Sequence, residues 1–125
     1  MDPNESMDLS GAEDNGTFRF EDKRYPVKIG IEIVSSEQVF SDYSPVIESV
    51  YVKLGENGRI KWPLQFNPEK SNIIKNFDQI QNGDIIHFTI EYFNEIICNA
   101  NFIILNKNEV NKQTGEISPI VQRMG

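Results

Sequence analysis

Residues 55–105 read GENGRIKWPLQFNPEKSNIIKNFDQIQNGDIIHFTIEYFNEIICNANFIIL, and the order of elements in this stretch decides the fold. The clearest element follows Gly83-Asp84. In Ile85-Ile86-His87-Phe88-Thr89-Ile90-Glu91-Tyr92, the residues Ile86, Phe88 and Ile90 alternate with His87, Thr89 and Glu91. A two-residue period of this kind is a strand with one face buried. A tight turn at Asn94-Glu95 leads into a further strand, with Cys98, Ala100, Phe102 and Ile104 inward and Asn99 and Asn101 outward. Upstream, Gly55-Glu56-Asn57-Gly58 makes a hairpin turn into the strand Arg59 to Phe66, which puts Ile60, Trp62, Leu64 and Phe66 on one side. Pro63 has no ladder donor, so this strand is expected at an edge or bulged near Trp62. Between the two halves, Asn67 caps and Pro68 begins a predicted helix with Ile73, Ile74, Phe77 and Ile80 on one face. Asn82-Gly83-Asp84 ends it.

Working outward, Tyr25 to Val34 alternates with Val27, Ile29, Ile31 and Ile33 on one face and Lys28, Gly30 and Glu32 on the other. Gly30 is read here as the bend a long first strand needs in a small barrel. Ser35 to Pro45, with Phe40 and Tyr43, reads as a turn-rich connection, and Val46 to Leu54 as the second strand. Five strands with one helix between the third and fourth is the order of the OB fold, so the expected class is an all-β, five-stranded OB barrel. The domain is expected over 18–106. It is preceded by an acidic tail, residues 1–17, expected to be disordered, and followed by a polar C-terminal tail, 107–125, in which Ile117, Ile120 and Val121 could dock as a short last strand.

A chain of 125 residues supports one core, and 38% hydrophobic with 25% charged residues suits a soluble protein. No apolar run approaches membrane-spanning length, and Met1-Asp2-Pro3-Asn4-Glu5 lacks the basic start of a secretion signal, so a cytoplasmic location (nuclear in a eukaryote) without membrane contact is expected. Cys98 is alone, which excludes an internal disulfide and fits a reducing compartment. One histidine, His87, and one cysteine fall short of a metal-ligand set, and no phosphate loop or nucleophile motif occurs. Neither an enzyme nor a cofactor is expected. The net charge is −7, but Asp2, Glu5, Asp8, Glu13 and Asp14 lie within residues 1–16, which contain no Lys or Arg. The remainder is nearly neutral and has room for a basic face.

From Pro26 to Leu105 the chain resembles small phage and bacterial OB-fold proteins regarded as binding single-stranded DNA. The residues that carry the resemblance are Pro63-Leu64-Gln65-Phe66, the helix with Asn76-Phe77, and Gly83-Asp84 followed by Ile86, Phe88 and Ile90. The likeness implies a non-enzymatic protein that binds single-stranded DNA, or RNA, with little sequence preference in replication, recombination or repair. Where that family has a longer loop between its last two strands, only Phe93-Asn94-Glu95 is available here, which implies modest binding. Scaffolding subunits of replication-protein and telomere-capping complexes are similar in outline. They imply the alternative, an interaction or scaffolding subunit of a larger assembly with no direct nucleic-acid contact, whereas a homo-oligomer would line up several grooves and strengthen DNA binding.

The alternation places Lys28, Tyr51, Lys53, Arg59 and Lys61 outward on the first three expected strands, with Ile47, Ser49 and Gln65 on the same surface. Cations there would pair with phosphates and Tyr51 would stack on a base. The alternative is an ordinary solvated sheet surface. Trp62 has two readings, a core residue by its alternation with Ile60 and Leu64, or a second stacking platform if Pro63 forms a bulge. Phe93, with Tyr92, is a candidate for the other rim of the groove. The acidic arm reads either as a solubilising tail or as a competitor for the basic face.

Overall fold

The computed structural model describes residues 17–19, 27–51 and 58–124. The acidic arm 1–16, Lys53, and residues 55–57 of the expected hairpin turn lie outside the described residues. The described residues are mainly β, with two antiparallel sheets and one short helix. The strands are β1 (Thr17–Arg19), β2 (Val27–Ser35), β3 (Gln38–Tyr43), β4 (Ile47–Tyr51), β5 (Arg59–Lys61), β6 (Leu64–Phe66), β7 (Ile85–Tyr92), β8 (Glu95–Asn106), β9 (Val110–Asn111), β10 (Glu116–Ile117) and β11 (Ile120–Arg123). A six-stranded sheet runs β3-β2-β7-β8-β11-β5 and a five-stranded sheet runs β1-β4-β6-β10-β9. Among the described residues the two sheets are not joined into one closed barrel.

Three of the passages from one sheet to the other turn at a proline. β3 becomes β4 through Ser44-Pro45, β5 becomes β6 through Trp62-Pro63, and β10 becomes β11 through Ser118-Pro119. Proline interrupts a ladder because it has no N–H, so these three corners fall where the sequence withholds a donor. The neighbouring groups stay satisfied. Trp62 N donates to Pro119 O at 2.9 Å, Tyr51 N to Pro63 O at 3.2 Å, and Ser44 N to Ile29 O at 2.9 Å. The expected strand Arg59 to Phe66 is therefore two short strands in different sheets.

Between the sheets lies one core. β7 and β8 follow the alternation read from sequence: Ile86, Phe88, Ile90, Ala100, Phe102 and Ile104 are buried. β2 adds Ile29, Ile31 and Ile33, and the other sheet adds Ile47, Val50, Leu64, Phe66 and Ile117. Each such large side chain is worth about 1.5–3 kcal/mol when fully removed from water.

Four expectations change. The connection Ser35 to Pro45 contains β3, whose Phe40 and Asp42 face inward and whose ladder pairs with β2 from Gly30↔Tyr43 to Ser35↔Gln38. Gly30 has a use besides the expected bend. A Cβ there would lie 2.9 Å from the Tyr43 ring and 2.7 Å from Thr89 Oγ1, so glycine makes room for Tyr43 to cross the outer face of the sheet. The helix does not begin at Asn67-Pro68. Asn67 Oδ1 accepts from Glu69 N in a preceding turn, and the one-turn helix α1 (Asn72–Lys75) is capped by Ser71, followed by a 3-10 turn, Phe77–Gln79. Ile73, Ile74, Phe77 and Ile80 are nonetheless all buried, so the apolar spacing was read correctly although the helix is shorter. Finally, residues 107–124 are more than a polar tail with one short last strand: Ile117 and Val121 do dock, as that expectation allowed, and the whole segment is built into the sheets. They supply β9, β10 and β11, and β11 stands between β5 and β8.

Candidate functional site

The sequence-predicted site residues separate into three groups. Tyr51, Arg59 and Lys61 follow the bent ribbon made by β5 and β6. Arg59 and Lys61 are exposed on the outer face of β5, and Tyr51 is half-buried at the end of β4 beside Pro63. Two grooves flank the corner where Trp62 N meets Pro119 O. One, of about 360 Å³, is lined by Ser49, Tyr51, Pro63, Gln65, Glu116 and Ser118. The other, of about 550 Å³, is lined by Arg59, Lys61, Leu105, Asn106 and Ile120. The first offers an aromatic ring with neutral donors and one carboxylate. The second offers two cations over an apolar floor, so any phosphate pairing belongs to the second.

Lys28 and Phe93 form a separate group. Lys28 lies on β2 opposite Glu91, and its Nζ sits 5.6 Å from the centroid of the Tyr43 ring. Four strand spacings, roughly 19 Å, separate β2 from β5, so Lys28 does not share a groove with Arg59 and Lys61. Phe93 is 61% exposed at the tip of the β7–β8 hairpin, its ring edge-on to Tyr92 at 4.4 Å between centroids. Phe93 and Asn94 both have positive φ, 50° and 67°. That is the backbone a two-residue turn of matching twist demands, and it is unfavourable for a bulky residue such as Phe.

Trp62 follows the core reading of its alternation, and Ile47, expected on the surface, is a core residue as well. Trp62 is 2% exposed, with its ring 5.4 Å from that of Phe88 and 4.6 Å from that of Phe102. The chain breaks its ladder at Pro63 by changing sheets, which keeps Trp62 inward and excludes the stacking platform. Ile47 is also fully buried. The β4–β6 register shifts between Ile47 and Ser49, so the two residues do not share a face as uninterrupted alternation requires.

Sequence reasoning missed the residues that arrive with the C-terminal strands, Asn106, Glu116, Ser118 and Ile120, and it missed Tyr43. The only hint was the pair Ile117 and Val121, both buried, on either side of Ser118-Pro119. Elsewhere on the outer face, His87 Nε2 lies 2.5 Å from Asn99 Oδ1, and its Nδ1 lies 3.8 Å from Glu32 Oε1. This polar chain crosses three adjacent strands. Among the described residues no group of three His, Cys, Asp or Glu side chains is placed to hold a metal ion, and no helix is long and apolar enough to cross a membrane. In comparisons with protein-family models, curated proteins and solved structures, nothing matched this chain.

Proposed function

We propose that this chain is a non-enzymatic β protein of OB type that binds single-stranded DNA, or RNA, with little sequence preference along the β5–β6 ribbon. The OB relationship rests on strand order. β2 pairs with β3 and β7, β7 pairs with β8, and the helix precedes β7. The departure from that order is β11, which takes the place between β5 and β8 where a five-stranded OB barrel pairs them directly. The observation that carries the function is the continuity from Tyr51 past Pro63 to Lys61 and Arg59, an aromatic ring at one end and two exposed cations at the other. Bases would stack on Tyr51 while Arg59 and Lys61 pair with phosphates. With two cations the affinity is modest and falls steeply with salt.

Anisotropy of a labelled oligo-dT at low salt tests this. Binding at micromolar protein that disappears by about 200 mM salt is expected. An Arg59→Glu, Lys61→Glu double variant should lose it, and Lys28→Glu should keep it. No anisotropy change for the wild type retires nucleic-acid binding. A second reading, an interaction subunit of a larger assembly, is favoured by the β7–β8 tip, where Ile96 is as exposed as Phe93.

A further inference from the structure

The outer face of the six-stranded sheet carries an uncharged stripe. Val39, Val34, Ile85 and Ile103 are successive cross-strand neighbours on β3, β2, β7 and β8. Leu105 and Ile120 continue it toward β5. Val34 is 40% and Val39 53% exposed, and the other four are half-buried. The ends differ in charge. Exposed Glu37 stands in the β2–β3 turn at one end, and Arg59 and Lys61 stand at the other.

We propose that this stripe docks a second copy of the chain in a two-fold dimer. An axis lying in the interface plane, parallel to the strands and crossing the middle of the stripe, turns the two outer faces toward each other and lays the Val34–Val39 end of one copy on the Leu105–Ile120 end of the other. The same rotation brings Glu37 of each copy toward Arg59 and Lys61 of its mate. A patch that is anionic at one end and cationic at the other becomes self-complementary under such a rotation. Two chains of net charge −7 repel at a distance, and that repulsion is least where the facing surfaces are neutral in the middle and opposite at the ends. Size sets the strength. Five strand spacings of about 4.8 Å give a length of about 24 Å, and three rows of side chains give a footprint on the order of 500 Å² per copy. A standard stable interface buries about 800 Å² per partner, so the dimer is weak and reversible.

Sedimentation velocity from about 5 to 500 µM at low salt tests the proposal without any nucleic acid. The average mass is expected to move from monomer to dimer across that range. A Val34→Asp, Val39→Asp variant, both positions exposed and hence harmless to the fold by circular dichroism, should stay monomeric throughout. Glu37→Arg and Arg59→Glu should each weaken the dimer about fivefold and should restore it when combined. Phe93→Ser, an exposed apolar position off the stripe, should change nothing. A wild type that remains monomeric at 500 µM overturns the proposal, as does a dimer that survives the Val34, Val39 variant or is lost with Phe93→Ser.

Discussion

The carboxylate of Asp42, on β3, holds the start of α1 through Ser71: Ser71 Oγ donates to Asp42 Oδ2 at 2.5 Å and in turn accepts from Ile74 N at 3.0 Å. Asp42 also accepts from Asn72 N at 2.8 Å and Ile73 N at 3.0 Å, so the first three amides of the helix are all partnered. A helix of one turn has no stability of its own, and its existence depends on this tie.

Asp42→Ala should therefore cost about 2–4 kcal/mol in urea unfolding, because it strands buried donors rather than merely deleting a bond. Ser71→Ala should cost about 1–2 kcal/mol. In both variants the amides of Ile73 and Ile74 should exchange with solvent faster than those of β7. Equal protection in wild type and Asp42→Ala would show that the tie is unimportant.

Trp62 is the only tryptophan, and its burial makes its emission a report on the core. Emission should be blue-shifted, resistant to iodide, and unchanged by an oligonucleotide that raises anisotropy. Its Nε1 has no hydrogen-bond partner among the described residues. Trp62→Phe removes that unpaired donor while keeping most of the ring, so it should cost less than Trp62→Ala, for which about 3–5 kcal/mol is expected. Equal losses would mean that the position depends on the whole indole rather than on an aromatic ring.

Gly115 has φ +77°, and a Cβ there would lie 2.0 Å from the Phe66 carbonyl oxygen. Phe66 N also donates to Gly115 O at 2.9 Å, so the backbone approach is part of the contact between the β9–β10 turn and β6. Gly115→Ala should cost more than about 2 kcal/mol. Gly83→Ala, also at positive φ but with open space around it, should cost about 1–2 kcal/mol. Thermal melts of the two variants separate clash from conformational strain.

Gly30→Ala pushes on the Tyr43 ring and on Thr89 Oγ1 and should cost about 1–3 kcal/mol. Adding Tyr43→Ala should recover part of that loss, a coupling visible in a double-mutant cycle. Additive losses would mean that the ring does not rest on Gly30.

What could be read from the sequence was whatever local alternation controls. β7 matches its expected span because Ile86, Phe88 and Ile90 alternate without interruption, and the buried face of residues 73–80 was legible from spacing alone. The start of the helix was not, because Asn67-Pro68 satisfies the same local rules in a turn and the partner that fixes α1, Asp42, is distant in the chain. Ile47 was misplaced by a register shift that leaves no local mark. Of the C-terminal strands only the last, at Ile120 and Val121, left a sign in the sequence; β9 and β10 were unreadable, since they have two residues each and a period needs more. For the site, the outward turn of Arg59 and Lys61 was legible. The distance of Lys28 from them was not, because it depends on strand order rather than on alternation.

The position of β11 has a consequence for how this chain is made. Val121 pairs with Ile60, so β5 waits for a neighbour synthesised about sixty residues later, several seconds at ordinary rates of translation. Throughout that interval β5 is an open edge on a nascent chain, the kind of edge that recruits strands from other chains. Arg59 and Lys61 flank its single apolar residue, Ile60, and two charges on a three-residue strand are an effective guard against such mispairing. The cations assigned here to a ligand would thus act earlier as well, as protection for a strand whose partner has not yet left the ribosome.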